Sequence, residues 1–124
     1  MNIRVVTVSG LLLGLSFLPA ARAEPPVVAQ TEINYLLGHL QGSGCEFYRN
    51  GSWYDSKRAE AHLRDKYEYL AARNQIGSTE DFIAKAATES SVSGRPYEVR
   101  CGGDKAVVSD KWLLKELAHY RAFQ

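Results

Sequence analysis

The chain has no surplus of charge of either sign: its 124 residues carry 15 Lys and Arg against 14 Asp and Glu. Recognition of DNA or RNA depends on clustered excess cations, so nucleic acid is not an expected partner. Cysteine is scarce too, with Cys45 and Cys101 alone and no Cys-x-x-Cys, which removes the spacing that a thioredoxin-like exchange site uses to activate a thiolate. There is no Gly-x-Ser-x-Gly elbow, no phosphate-cradling glycine loop and no dinucleotide fingerprint, since Gly102-Gly103 reads only as a turn. His39, His62, His119 and the two cysteines do not fall at the short spacings that present ligands from one turn or helix face. Neither a metal nor a cofactor is expected.

No apolar run reaches the about 20 residues that a spanning helix needs. The longest, Val5 to Leu18, follows the single cation Arg4 and leads through Pro19 to Ala21-Arg22-Ala23. That order of a positive start, an apolar stretch and small residues at both flanking positions reads as a cleavable signal peptide over 1–23, cut after Ala23. An uncleaved anchor is the competing reading, disfavoured by the short run and the cleavage-type flank. No cysteine follows the run closely enough to be acylated, so no membrane anchor is expected after cleavage. The expected location is the periplasm. Arg4 and Arg22 leave with the signal, taking 15 cations to 13 against 14 anions, and the remaining length suits one modest core.

Residues 24–30, with Pro25 and Pro26, read as an extended lead-in, and 31–124 as a single small domain. Ile33, Leu36, Leu37 and Leu40 recur at helical spacing and predict a first helix from about Thr31 to Gly42. Cys45 to Arg49 and Ser52 to Tyr54 flank Asn50-Gly51, a dipeptide that supplies two positive φ angles, so a tight hairpin is expected. Asp55 or Ser56 would cap a second helix running to about Asn74, with Ala59, Leu63, Tyr67 and Leu70 along one stripe. Ser78 with Asp81 resembles a capping box at the start of a third helix. Tyr97 to Cys101 and Ala106 to Val108 make a second hairpin, and Ser109 would cap a fourth helix carrying Trp112, Leu113, Leu117 and Tyr120. Strands this short must share a sheet to be buried. The expected class is α+β, about four helices packed on a small antiparallel sheet built from two short hairpins.

Two cysteines in an exported chain suggest one disulfide between Cys45 and Cys101, with two buried thiols or a redox couple as alternatives. Such a bridge would be worth about 4 kcal/mol in the chain-entropy model.

Phe47-Tyr-Arg-Asn-Gly51, Ala61-His-Leu-Arg64, Phe82-Ile-Ala-Lys-Ala-Ala87, Ser90-Ser91 and Gly94-Arg-Pro-Tyr-Glu-Val99 together resemble the YfeK-like proteins, a group of small exported bacterial proteins. The resemblance spans about residues 31–120 and implies export and a single domain of unknown function. The cysteines lie outside its general pattern, so the disulfide expectation rests on compartment and count.

Aromatic and arginine side chains bury much area at modest entropic cost, which makes the first hairpin and the helix after it the candidate binding region. The residues are Tyr48, Arg49, Tyr54, Arg58 and His62. Strand alternation is expected to turn Phe47, and with it Trp53, inward while leaving Tyr48 and Tyr54 outside. A hairpin that simply packs into the core is the competing reading. Arg95, in the turn Gly94-Arg-Pro-Tyr97, is a second candidate against a plain connector. The sequence specifies no activity. A non-enzymatic, soluble periplasmic binding or accessory protein is the expected role, with a periplasmic protein or envelope component as partner. The alternatives are an immunity-type inhibitor of an envelope-directed toxin and a small hydrolase using His62 with Asp55 and Ser90 or Ser91.

Overall fold

The structure, a computed structural model, describes residues 24–124. The signal-peptide reading falls on 1–23 and lies outside the described residues. Helix α1 (Val27–Gly42) leads into strands β1 (Glu46–Arg49) and β2 (Ser52–Tyr54), then α2 (Ser56–Ala71) and α3 (Thr79–Ala86). Strands β3 (Glu98–Arg100) and β4 (Val107–Val108) and helix α4 (Ser109–Ala122) complete the chain. The strands form one antiparallel sheet in the order β2-β1-β3-β4. This is the expected α+β domain, four helices against two joined hairpins.

The core follows from the apolar stripes. Ile33, Leu36, Leu37 and Leu40 of α1 are buried against Leu63 of α2, Phe82 and Ile83 of α3, and Leu113 and Leu117 of α4. The sheet contributes Phe47 and Val99, paired partners on one face. Trp112 packs edge-on to Phe47 at the periphery, whereas Leu114 is exposed.

Cys45 and Cys101 are joined by a disulfide. The β1–β3 register pairs Glu46 with Arg100, so the next ladder position sets the two cysteines directly opposite, with Cα atoms 4.3 Å apart. That separation matches a non-hydrogen-bonded antiparallel pair. The bridge closes the end of the ladder away from the Asn50-Gly51 turn.

An ion-pair cluster ties three helices together. The buried Glu32 carboxylate of α1 accepts two hydrogen bonds from Arg121 of α4, at 2.7 and 2.8 Å, and one from Thr79 of α3 at 2.7 Å. Arg121 also reaches Glu80 at 2.6 Å.

Several boundaries depart from the sequence reading. Residues 24–30 are not an extended lead-in throughout: α1 begins at Val27 with Pro26 at its N-cap. A proline before the first turn has no amide to lose and its fixed φ leads directly into a helix, and the early start buries Ala29. Helix α2 ends at Ala71, short of Asn74, because Asn74 adopts φ 57° and Gln75 N donates to Leu70 O. With Asn74 N donating to Ala71 O, this is a Schellman stop. Ser109 begins α4 but does not cap it: Val108 holds the cap position without a side-chain bond, and Ser109 is buried with its N–H donating to Tyr97 O at 2.8 Å. The strand runs directly into the helix and leaves no loop residue to turn back as a cap.

Candidate functional site

The first hairpin is shaped by its turn. Asn50 and Gly51 take φ 49° and 88°, and the two-residue turn pairs Arg49 with Ser52, Tyr48 with Trp53, and Phe47 with Tyr54. Directly paired residues share a face of the sheet. Arg49, Phe47 and Tyr54 therefore lie on the helix side, while Tyr48 and Trp53 occupy the open face, their rings 5.4 Å apart. The expectation that Trp53 would join Phe47 inside and Tyr54 would join Tyr48 outside is reversed. Arg100 also stacks on Trp53, 3.9 Å from the ring centroid.

Asp55 follows β2 at once and caps α2, its carboxylate accepting from Arg58 N at 2.8 Å. The connection is so short that the first turns of α2 lie beside the hairpin. Between them is a cleft of about 220 Å³ lined by Tyr48, Arg49, Tyr54, Arg58, His62 and, from β3's approach, Tyr97. Five of the six sequence candidates thus converge. Arg95 does not: it is exposed in the turn before Pro96 and outside the lining. Tyr48 borders the cleft while its ring packs on Trp53.

Arg49 and Arg58 both stack against the Tyr54 ring, at 4.8 and 5.0 Å. The nearby Arg49 guanidinium holds the Tyr54 phenol below its ordinary pKa. Arg49 Nη1 also lies 2.7 Å from His62 Nδ1, and His62 Nε2 lies 3.1 Å from the Tyr97 hydroxyl. Lys66 Nζ donates to the same hydroxyl at 3.1 Å and to Glu89 O at 3.2 Å. Burial, with Arg49 and Lys66 close by, lowers the His62 pKa to about 4, so the ring is neutral near pH 7. Burial also lowers the Lys66 pKa and raises that of Tyr97.

The direction of each hydrogen bond is fixed by what the groups can donate. A guanidinium has no acceptor, so His62 Nδ1 must accept from Arg49 and the ring proton resides on Nε2. Nε2–H then donates to Tyr97, as does Lys66, filling the hydroxyl's acceptor sites. Tyr97 retains its own proton, which has no acceptor among the described side chains and is left for a group in the cleft. Arg49, Arg58 and Lys66 form no ion pair among the described residues. Asp65 is the carboxylate of the lining. The cleft therefore offers donors and positive charge between aromatic rings.

A hydrolytic trio is not assembled. Both His62 nitrogens are engaged by Arg49 and Tyr97, so neither is bonded to Ser91, which lies in the neighbouring depression; Asp55 is used as a cap, and the buried Ser90 Oγ accepts from Val92 N and Ser93 N. Lys66, Asp65 and Tyr97 were not singled out from the sequence. A signal for Lys66 existed, because Arg58, His62 and Lys66 recur every four residues and form one row along α2. Tyr97 arrives from the segment just before β3, distant in sequence, and carries no such mark.

Fold and cleft together define a small disulfide-closed α+β protein with a cationic, aromatic recess. The family of unknown function designated DUF5329 matches residues 27–121, and the chain belongs to it. It is also 39% identical over 69 residues to the uncharacterized protein YfeK of Salmonella typhimurium, a match covering 55% of this chain and 56% of that protein. The chain thus spans little more than half the length of that relative. No solved structure matches.

Proposed function

We propose that this protein is a non-enzymatic binding or accessory module of the periplasm, whose cleft holds an anionic group presented by a protein or envelope component. The observation that carries the reading is the polarity of the cleft. Arg49, Arg58 and the Tyr97 hydroxyl have protons to give, with the Lys66 ammonium just beyond the lining, and an anion accepts several such protons at once in charge-assisted bonds. Tyr54 between two guanidiniums keeps both cations extended and ordered before a ligand arrives, which lowers the entropic cost of binding. The periplasmic setting is supported by the sequence of residues 1–23 and by a bonded cysteine pair, which persists in oxidising compartments.

An amide-resolved NMR titration tests it, using N-acetylglutamate and its neutral analogue N-acetylglutamine. The acid is expected to shift amides around Arg49, Arg58 and Tyr97, the amide to leave them unmoved, and the Arg49→Gln, Arg58→Gln variant to lose the response while melting cooperatively. Equal responses to acid and amide, or shifts centred elsewhere, would refute the anion site.

A further inference from the structure

The cleft does not end at His62. A second depression of about 310 Å³ adjoins it along α2, lined by Lys66, Tyr69, Leu70, Lys85 and Ser91, and it shares His62 and Asp65 with the first. Arg58, His62, Lys66 and Tyr69 lie on one side of the helix, and at about 1.5 Å per residue they cover roughly 16 Å of its length. An extended chain covers that distance in about five residues.

Charge is ordered along this groove. Arg49 and Arg58 stand at one end, Lys66 and Lys85 towards the other, and the Asp65 carboxylate between them. Lys66 and Lys85 are held in place by carbonyl acceptors, Glu89 O at 3.2 Å and Gln75 O at 2.8 Å; with its bond to Tyr97 counted, Lys66 keeps one further proton to donate, and Lys85 keeps two. A polymer with an anion at every unit, such as a polyphosphate, would set one of its charges against Asp65. A peptide meets the same pattern with carboxylates at its ends and amide N–H groups between them, one of which Asp65 accepts.

Building on the anion site proposed above, we infer that the ligand is an extended acidic peptide segment of about five residues, lying along α2 with a carboxylate at each end of the groove. Two anchoring sites on one ligand act together, because the second contact is made at high effective concentration.

Fluorescence anisotropy with the oxidised protein tests this, using a labelled pentapeptide with glutamate at both ends and alanine between, competed by N-acetylglutamate or inorganic polyphosphate. The pentapeptide is expected to bind at least about tenfold tighter than N-acetylglutamate. Lys85→Gln, a change at an exposed side chain, is expected to remove most of that gain without lowering Tm, and Asp65→Asn to strengthen competition by polyphosphate. A pentapeptide no tighter than N-acetylglutamate overturns the groove and leaves the anion site standing. Tighter binding of polyphosphate than of the pentapeptide to the parent protein overturns the peptide class. Binding of neither acid removes both readings together.

Discussion

Phe47 and Tyr54 stand directly opposite one another across the β1–β2 pair, both turned towards the helices. That register places Arg49, two residues along from Phe47, over α2, where it meets His62.

The register depends on the Asn50-Gly51 turn. Gly51 sits at φ 88°, where a Cβ is strained, so Gly51→Ala is expected to cost about 1 kcal/mol. Urea unfolding checks the loss, and faster hydrogen exchange of the β1 and β2 amides would locate it. An unchanged midpoint would show that the turn does not need the glycine.

Reducing or removing the disulfide should cost more. The bonded cysteines are 56 residues apart in sequence, and releasing a loop of that size returns about 4 kcal/mol of entropy to the unfolded chain in the chain-entropy model. The Cys45→Ser, Cys101→Ser variant is expected to unfold at a markedly lower urea concentration, and adding reductant should affect the parent but not the variant.

Arg121 is the less obvious stability determinant. Arg121→Ala leaves the buried Glu32 carboxylate with Thr79 as its remaining side-chain donor, for an expected loss of about 2 kcal/mol. Glu80→Gln, at an exposed partner of the same arginine, should cost well under about 1 kcal/mol. The Arg121 bonds hold the Glu32 pKa below its ordinary value, so this contribution is present at neutral pH and lost as pH falls through that lowered value. Comparing the acid limbs of the parent and the Arg121→Ala variant in denaturant measures it.

His62 makes a second, separable contribution to acid sensitivity. Its pKa drops from 6.5 to about 4 on folding, so between those values the unfolded chain binds a proton that the folded chain refuses. Stability is therefore expected to fall as pH drops from about 6.5 to about 4 and to lose this dependence below that. His62→Gln should flatten that window, and NMR titration of the imidazole should find it neutral at pH 6. A ring that titrates near 6.5 in the folded protein would contradict the buried, cation-flanked setting.

The elements most legible in the sequence were those specified locally. Asn50-Gly51 announces its hairpin, Asp55 and Ser78 cap the helices they precede, and the spacing of Ile33, Leu36, Leu37 and Leu40 identifies a core face. The disulfide is the outcome expected from two cysteines in a chain read as exported. Alternation along single strands misassigned Tyr54 and Trp53, because their faces are set by partners across the turn and not by composition. Ser109 has a cap residue's chemistry, yet β4 runs straight into α4 and leaves Val108 in the cap position, with Ser109 already in the first turn. The candidate residues close to one another in sequence were found together. Tyr97 and Lys85 carry no local mark, because only the tertiary fold brings the segment before β3 and the end of α3 to the groove.

The sheet's two outer strands are three and two residues long, and β2 passes into α2 after one residue while β4 passes into α4 directly. Each leaves only a few backbone donors and acceptors unpaired at its margin, and the adjoining helix limits how far an incoming strand could extend the ladder. A second copy finds too little edge to template intermolecular pairing, which protects the fold against strand-mediated aggregation.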